Sequence, residues 1–479
     1  MFQSGHTRSS GQQGPGRGAG GGRRALARAF VAALALVAGG ATPGRAGELR
    51  LIRDAGIEHG LAEIARPLLA AAALPAGRIR VMVIEDARPN AFVIDDRHIF
   101  IHSGMILLAR NAAELQSVLA HEIAHIRAGH ISRRQMAIGA ANTAARAGLL
   151  VSLALAAATG EGALAGGVAM GTSSSALGVL LSHSRAEEAS ADRIGLSLMA
   201  SAGIDPTAAV ALLRNFAGQE VLMTTRQDPW LRSHPLSRTR LANAEALAGA
   251  LAKRARGKGD PARARRTAYW FERIGTKLAA FRRSPAVTLR KMRGRKDEMA
   301  LLARAIAHHR KGENARAAAA IGALLKLRPR DPYYHDLAGQ FLLERRRFDA
   351  AVTAYGKAAA LAPSEPLIRA ALGRAYLLRD RKGDLDRAIA ALETARRGDP
   401  LLDGALRDLA VAYGRKGLNG MAALVSAERY ALLGRMKDAR LLAERASGLL
   451  PRGSPAWRRA RDVIRTAEIS LRKTKGKRR

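Results

Sequence analysis

The 479-residue chain contains no cysteine. Disulfides and thiolate metal sites are therefore excluded, and any metal must sit on His, Asp or Glu. Export is not excluded, because disulfides are permitted outside the cytoplasm but not required there. Aromatic residues make up only 4% of the chain. Ala and Leu dominate instead, which favours helices over strands. Acidic residues are scarce as well: 40 Asp and Glu stand against 79 Lys and Arg, a formal net charge of +39. No aromatic-interleaved basic motif accompanies that charge, so nucleic-acid binding is not expected. The excess reads either as arginine on solvated helix faces or as attraction to an anionic surface such as lipid headgroups. Uninterrupted apolar runs long enough to span a bilayer are also missing.

What is present begins with apolar residues, 48% of the chain and spread along most of it. That supports two or three domains with real cores. Arg23 and Arg24 precede an apolar stretch from Ala25 to Val37, followed by small residues ending Gly44-Arg45-Ala46. A positive flank, a short apolar run and small residues at −3 and −1 read as a secretory signal, with cleavage expected after Ala46 and a periplasmic destination. Residues 1–46 are thus an N-terminal extension and signal. Residues 47–252 form the first folded domain, 253–297 a basic helical linker, 298–453 a repeat domain and 454–479 a basic tail without order at its end. The predicted fold is mainly α, with one small β-sheet near the front. Arg78–Ile84 alternates and then runs apolar, and Asn90–Ile94 and Ile99–Ile101 flank the polar turn Asp95–His98, a strand and then a hairpin.

The chemistry concentrates in two helices. Asn111, with Glu114 three residues on, predicts a capped helix, and Gly129 predicts its end. Inside it lies His121-Glu122-Ile123-Ala124-His125. Two histidines four apart leave one helix face and can grip one metal. Glu122 lies beside that face, where it can serve as base for an attacking water without being a ligand. A catalytic zinc usually has three protein ligands, so a third must come from another element. Ser184-Arg185-Ala186-Glu187 is a capping box that opens a second helix. Glu188, Asp192 and Gly195 then share one face. Glu188 is the expected third ligand, and Asp192 is placed to orient a ligand His through its far nitrogen. Gly195 would let the two helices approach closely. Between them, 139–181 is rich in Ala, Gly and Leu and reads as a helical hairpin or lid, or as ordinary buried helices.

Pro329 and Pro363 stand 34 apart, as do Gly339 and Gly373. Small and aromatic residues recur at that period, with three residues inserted around Arg381–Asp384. This predicts a tetratricopeptide-repeat α-solenoid with a concave surface for peptides or proteins.

His-Glu-Ile-Ala-His with Ser184–Gly195 resembles the zinc gluzincins related to HtpX and the CAAX prenyl proteases. The resemblance implies an α-helical zincin-type domain, one zinc ion on His121, His125 and Glu188, and Glu122 as general base. Asn90-Ala91-Phe92 resembles the family segment leading to a substrate-binding edge strand, although Val-Ile-Asp-Asp-Arg replaces the commoner continuation. Ser233–Arg240 resembles a further signature that sets His234 and Arg240 at the cleft. They would hold substrate or the developing oxyanion, or His234 would fill the open metal position and keep the enzyme latent; the plain alternative is a helix cap before Leu241. Signal, metal domain and C-terminal repeats together resemble the periplasmic branch that assists β-barrel assembly. That implies unfolded or misassembled protein substrates, partners in the outer-membrane assembly machinery, and membrane-surface contact as a further expectation. The competing expectation is an envelope chaperone or scaffold in which the repeats bind clients and proteolysis is minor.

Overall fold

The computed structural model describes residues 50–75, 77–133, 184–217, 230, 233–234 and 236–475. The expected export segment and the apolar stretch 139–181 lie outside them. All described residues fall in one compact unit, Leu49–Arg479. The chain is mainly α, with a single small sheet among the described residues.

That sheet holds β1 (Leu51–Ile52), β2 (Arg80–Ile84), β3 (Ala91–Val93) and β4 (His98–His102) in the order β1-β2-β4-β3. β2 and β4 are parallel and the other pairs antiparallel. The predicted hairpin is the β3–β4 pair. Its turn is closed by Asp95, whose Oδ1 accepts from the backbone N–H of Arg97 and His98. β3 forms one edge of this sheet, so among the described residues no strand pairs with its outer side. Helix α1 (Ala55–Ala71) starts at an Asp54 cap, and its stripe of Ile57, Leu61, Ile64 and Leu68 is buried. α2 (Ser103–Leu108) leads directly into α3 (Ala112–Arg127), capped by Asn111, whose side chain accepts from the Glu114 N–H. α4 (Arg185–Ser201), α5 (Thr207–Arg214) and α6 (Arg238–Gly257) complete the metal-site layer.

The segment expected as a basic helical linker is helical, and it packs into the core. α7 (Pro261–Arg282) begins at an Asp260 cap with Pro at its first turn, and α8 (Pro285–Lys291) follows. Trp270, Ile274 and Leu278, four apart, are buried in the same core as α1. The basic residues of α7 mislead because two of them are inside. Arg273 is paired with Asp331 at 2.5 and 2.9 Å, and Lys277 with Asp54 at 2.6 Å. Their charges are met across element boundaries while their stems pack against apolar neighbours.

Four helical hairpins follow: α9 (Glu298–Arg310) with α10 (Asn314–Leu327), α11 (Pro332–Glu344) with α12 (Phe348–Leu361), α13 (Pro366–Arg379) with α14 (Asp384–Gly398), and α15 (Asp403–Arg415) with α16 (Asn419–Leu432). First helices begin at Glu298, Pro332, Pro366 and Asp403, so the period is 34 until the insertion lengthens it to 37. The insertion falls in the α13–α14 turn, where Asp380 and Gly383 take positive φ of 56° and 82°. A Cβ at Gly339 would meet Tyr355 at 2.7 Å and one at Gly373 would meet Leu392 at 2.6 Å, so the paired helices cross where no side chain fits. The repeats pack directly on the first domain. Tyr333, Ile368 and Leu372 share its core, and Asp399, at the end of α14, accepts from Arg53 at 2.5 Å and Arg80 at 2.9 Å.

The expected tail is also a helix. After α17 (Met436–Leu449), α18 (Pro455–Lys475) buries Ala460, Ile464 and Ala467 against α16 and α17. Three apolar residues on one stripe suffice to dock a helix whose other faces are basic. Among the described residues no helix is long and apolar enough to cross a membrane.

Candidate metal centre

Four side chains from three elements meet at one point. His121 and His125 project from α3, Glu188 from the first turn of α4, and His234 from the segment before α6. One nitrogen or oxygen from each lies within 4.8 Å of all the others. The Nε2 atoms of His121 and His125 are 3.1 Å apart, and His234 Nδ1 is 3.2 Å from His121 Nε2. Glu188 Oε1 stands 3.3 Å from His125 Nε2 and 3.0 Å from His234 Nδ1. All four residues are buried.

Local sequence produces this convergence. The predicted capping box is present: the Ser184 side chain accepts from the Glu187 N–H, and the Glu187 carboxylate accepts from the Ser184 N–H. That fixes the first turn of α4 and hence Glu188. Gly195, two turns on, brings the helices together. A Cβ there would lie 3.3 Å from the backbone of Ala120 and His121. Asp192 falls between, with Oδ1 3.0 Å from His121 Nδ1, the nitrogen facing away from the cluster.

Arg240 stands among the carboxylates rather than facing open space. It grips Asp192 through Nε at 2.5 Å and Nη2 at 2.9 Å, and its Nη1 lies 2.8 Å from Glu188 Oε2. The edge strand and the His234 segment are also in contact. Ser233 Oγ donates to Asn90 Oδ1 at 3.3 Å, and His234 Nε2 is 3.3 Å from the Ala91 carbonyl. Phe92 is buried and stacks on Phe100. Asn90 and Ala91 are thus in contact with Ser233 and His234, while Phe92 packs against Phe100 and His102.

The donor set fits a divalent metal such as zinc. It is three imidazoles and a carboxylate with no sulfur, at mutual distances one small cation can bridge. Glu122 adds a second sign. It is 0% exposed, neither carboxylate oxygen has a hydrogen-bond partner among the described residues, and His234 Nε2 lies 3.4 Å from its Oε1. A buried carboxylate without donors is costly, and such groups mark places kept for chemistry. Burial pushes the Glu122 carboxyl above its ordinary pKa. Burial acts on Glu188 in the same direction, yet His234 and His121 outweigh it and hold that carboxyl well below. One carboxylate is thus locked as an anion while the other can take up a proton. Burial also holds His125 down, at about 3, so it stays neutral with a lone pair to offer.

One residue escaped the sequence reading. His130 is 2% exposed, and its Nδ1 lies 2.9 Å from Nδ1 of His125. The spacing HExxH followed by His five residues on was its available signal.

Residues 57–248 match the profile of Peptidase family M48. The beta-barrel assembly-enhancing protease of Escherichia coli strain K12 is 30% identical over 162 residues, 34% of this chain and 33% of that protein. The mitochondrial metalloendopeptidase OMA1 of Schizosaccharomyces pombe is 34% identical over 163 residues, 34% of this chain and 44% of that protein. The chain therefore spans about a third of the length of the assembly-enhancing proteases that it matches. Among solved structures, MamA of Desulfovibrio magneticus RS-1 aligns at 24% identity and TM-score 0.31, over 34% of this chain and 94% of that one. His121, Glu122, His125, Glu188 and His234 all fall inside the span, residues 57–248, that matches Peptidase family M48.

Proposed function

We propose that this protein is a zinc-dependent endopeptidase of the cell envelope. The observation that carries the reading is the convergence of His121, His125 and Glu188 beside a buried Glu122 whose oxygens lack donors among the described residues. A zinc ion held by those three residues would polarise the scissile carbonyl and make an attacking water acidic near neutral pH. Glu122 would take the proton from that water and return it to the leaving amine, a task suited to a carboxyl whose pKa is raised by burial. Asp192 would keep His121 oriented, and Arg240 would keep Asp192 and Glu188 oriented, so Arg240 acts through other residues rather than on substrate. The open edge of β3 would pair with an extended substrate strand.

His234 gives the proposal a second part. A catalytic zinc site keeps one position open, whereas here a fourth donor has closed the cluster. His234 also covers the Ala91 carbonyl on the edge strand. Both contacts support a latent state that opens when the segment before α6 withdraws. The relatives' name, beta-barrel assembly-enhancing protease, supports a role in β-barrel assembly; the reading extends this to outer-membrane quality control in the periplasm, with the repeats engaging clients and the assembly machinery.

The alternative is a chaperone or scaffold in which cleavage is minor. Glu122→Gln separates the two: zinc content should stay at one per chain while casein digestion falls by ~10²-fold or more. Equal digestion by wild type and variant would defeat the peptidase reading. His234→Ala should raise digestion with zinc retained; unchanged zinc content and unchanged digestion would remove the latency.

A further inference from the structure

We infer that His130 is a positioning residue of the metal centre, fixing His125 through the ring nitrogen that faces away from Glu188. The inference rests on the metal-site reading above. His121 and His125 leave the same helix, but their far nitrogens are held in different ways. His121 Nδ1 meets a carboxylate, Asp192, itself clamped by Arg240. His125 Nδ1 meets no carboxylate in the described structure. Its partner is His130 Nδ1 at 2.9 Å, with ring centroids 5.0 Å apart and planes at 69°.

An uninterrupted helix would not build this contact. Five residues along an α-helix, a side chain lies about 140° round the axis from its start, on nearly the opposite face. α3 stops at Arg127 instead, and Gly129 takes φ 67°. Among the described residues a Cβ at Gly129 would meet Arg133 Nη1 alone, at 3.5 Å, and its positive φ is what the position demands. That turn swings the chain back and sets His130 under His125. The two rings are 2% and 0% exposed, so water does not compete for the bond.

Proton placement follows from the geometry. For His125 to present an Nε2 lone pair toward Glu188 and His121, its proton must sit on Nδ1. Nδ1–H then donates, and His130 Nδ1 accepts with its own proton on Nε2. A ligand imidazole held this way keeps one tautomer and one ring angle, and it is a stronger donor to the metal. The two histidines are thus held unequally, one by a carboxylate and one by a second imidazole.

The test uses the full chain and a pair of nearly isosteric substitutions. His130→Gln keeps a side-chain carbonyl that can accept from His125; His130→Met has similar size and offers only a weak thioether. Zinc affinity is measured by competition with a chromogenic chelator, and the ligand field by the visible spectrum of the cobalt-loaded protein. His130→Met and His130→Ala should weaken zinc by ~10–100-fold and alter the cobalt bands, while His130→Gln restores most of the affinity. Equal zinc affinity and identical cobalt spectra for wild type and His130→Met would overturn the inference, as would a His130→Gln no better than His130→Met. If wild type itself takes up neither ion, the metal-site reading fails first and the inference falls with it.

Discussion

Asp192 Oδ1 stands 3.0 Å from His121 Nδ1, and the same carboxylate is gripped by Arg240 through two nitrogens. The proposed metal ligand, its orienting anion and a cation that orients the anion therefore form one chain. Asp192→Ala should lower zinc affinity by ~10-fold or more, the usual cost of losing a partner of a ligand histidine. It also leaves Arg240 with Glu188 as its remaining anion at the centre, so a salt bridge would pull on a ligand carboxylate. Chelator competition reads the first effect. Wild-type affinity in Asp192→Ala would show that His121 needs no such support.

The approach of α3 and α4 yields a graded prediction. A Cβ at Gly195 lies 3.3 Å from three backbone atoms of Ala120 and His121, tighter than ordinary contact. Backbone cannot turn away as a side chain can. Gly195→Ala should be absorbed by a shift of a few tenths of an ångström. Gly195→Leu should force the helices apart, part Glu188 from the histidines, and cost about 1–3 kcal/mol in overpacking. Zinc content and thermal midpoint should both fall in the order wild type, Ala, Leu. A Leu variant that binds zinc like wild type would mean the seam is not what holds Glu188 in place.

These two cases also show which parts of the site a sequence can reveal. His121 and His125 are legible because their spacing is helix arithmetic, and Glu188 because a capping box fixes the turn it sits in. Both are local rules. Asp192 follows from the same helix face. His130 was missed because its placement depends on one positive φ at Gly129, which reverses the face that helical spacing assigns. The burial of Arg273 and Lys277 was missed for a different reason. Composition counts their charges but cannot see Asp331 and Asp54, which arrive from other elements to meet them. α18 failed likewise: basic density hid a short stripe of Ala460, Ile464 and Ala467. The repeat period survived because small residues at close helix crossings recur on a fixed count, whatever surrounds them.

The contact between the metal domain and the repeats is partly ionic. The Asp399 side chain is fully buried between Arg53 and Arg80, and Glu58 bonds the same two arginines at 2.6 and 3.0 Å. Removing one member of such a network leaves charge buried without its partner. Asp399→Ala should destabilise by about 3 kcal/mol, near the low end for buried pairs because Glu58 stays. Asp96→Ala breaks an ion pair with Arg78 that is half exposed on both sides, and it should cost far less. Urea midpoints of the two variants test the contrast. Equal losses would mean that the Asp399 network contributes no more than a surface pair.

A second group at that junction makes stability depend on pH. Burial pushes the Asp336 carboxyl up to about 7; Asp54 and Glu365 act the same way, while Lys277 opposes them. Burial likewise raises Glu365 to about 7. In the unfolded chain an Asp titrates near 3.8, so between these values the folded state binds the extra proton. Stability from this group is therefore present at low pH and is lost as pH rises from about 4 through about 7. Asp336→Asn carries no titrating proton, so its stability should fall less between pH 5 and pH 8, by about 2 kcal/mol relative to wild type. Urea midpoints at the two pH values measure this difference. Parallel losses in wild type and variant would place the carboxyl at its ordinary pKa, with water reaching it at the junction of α7 and α11.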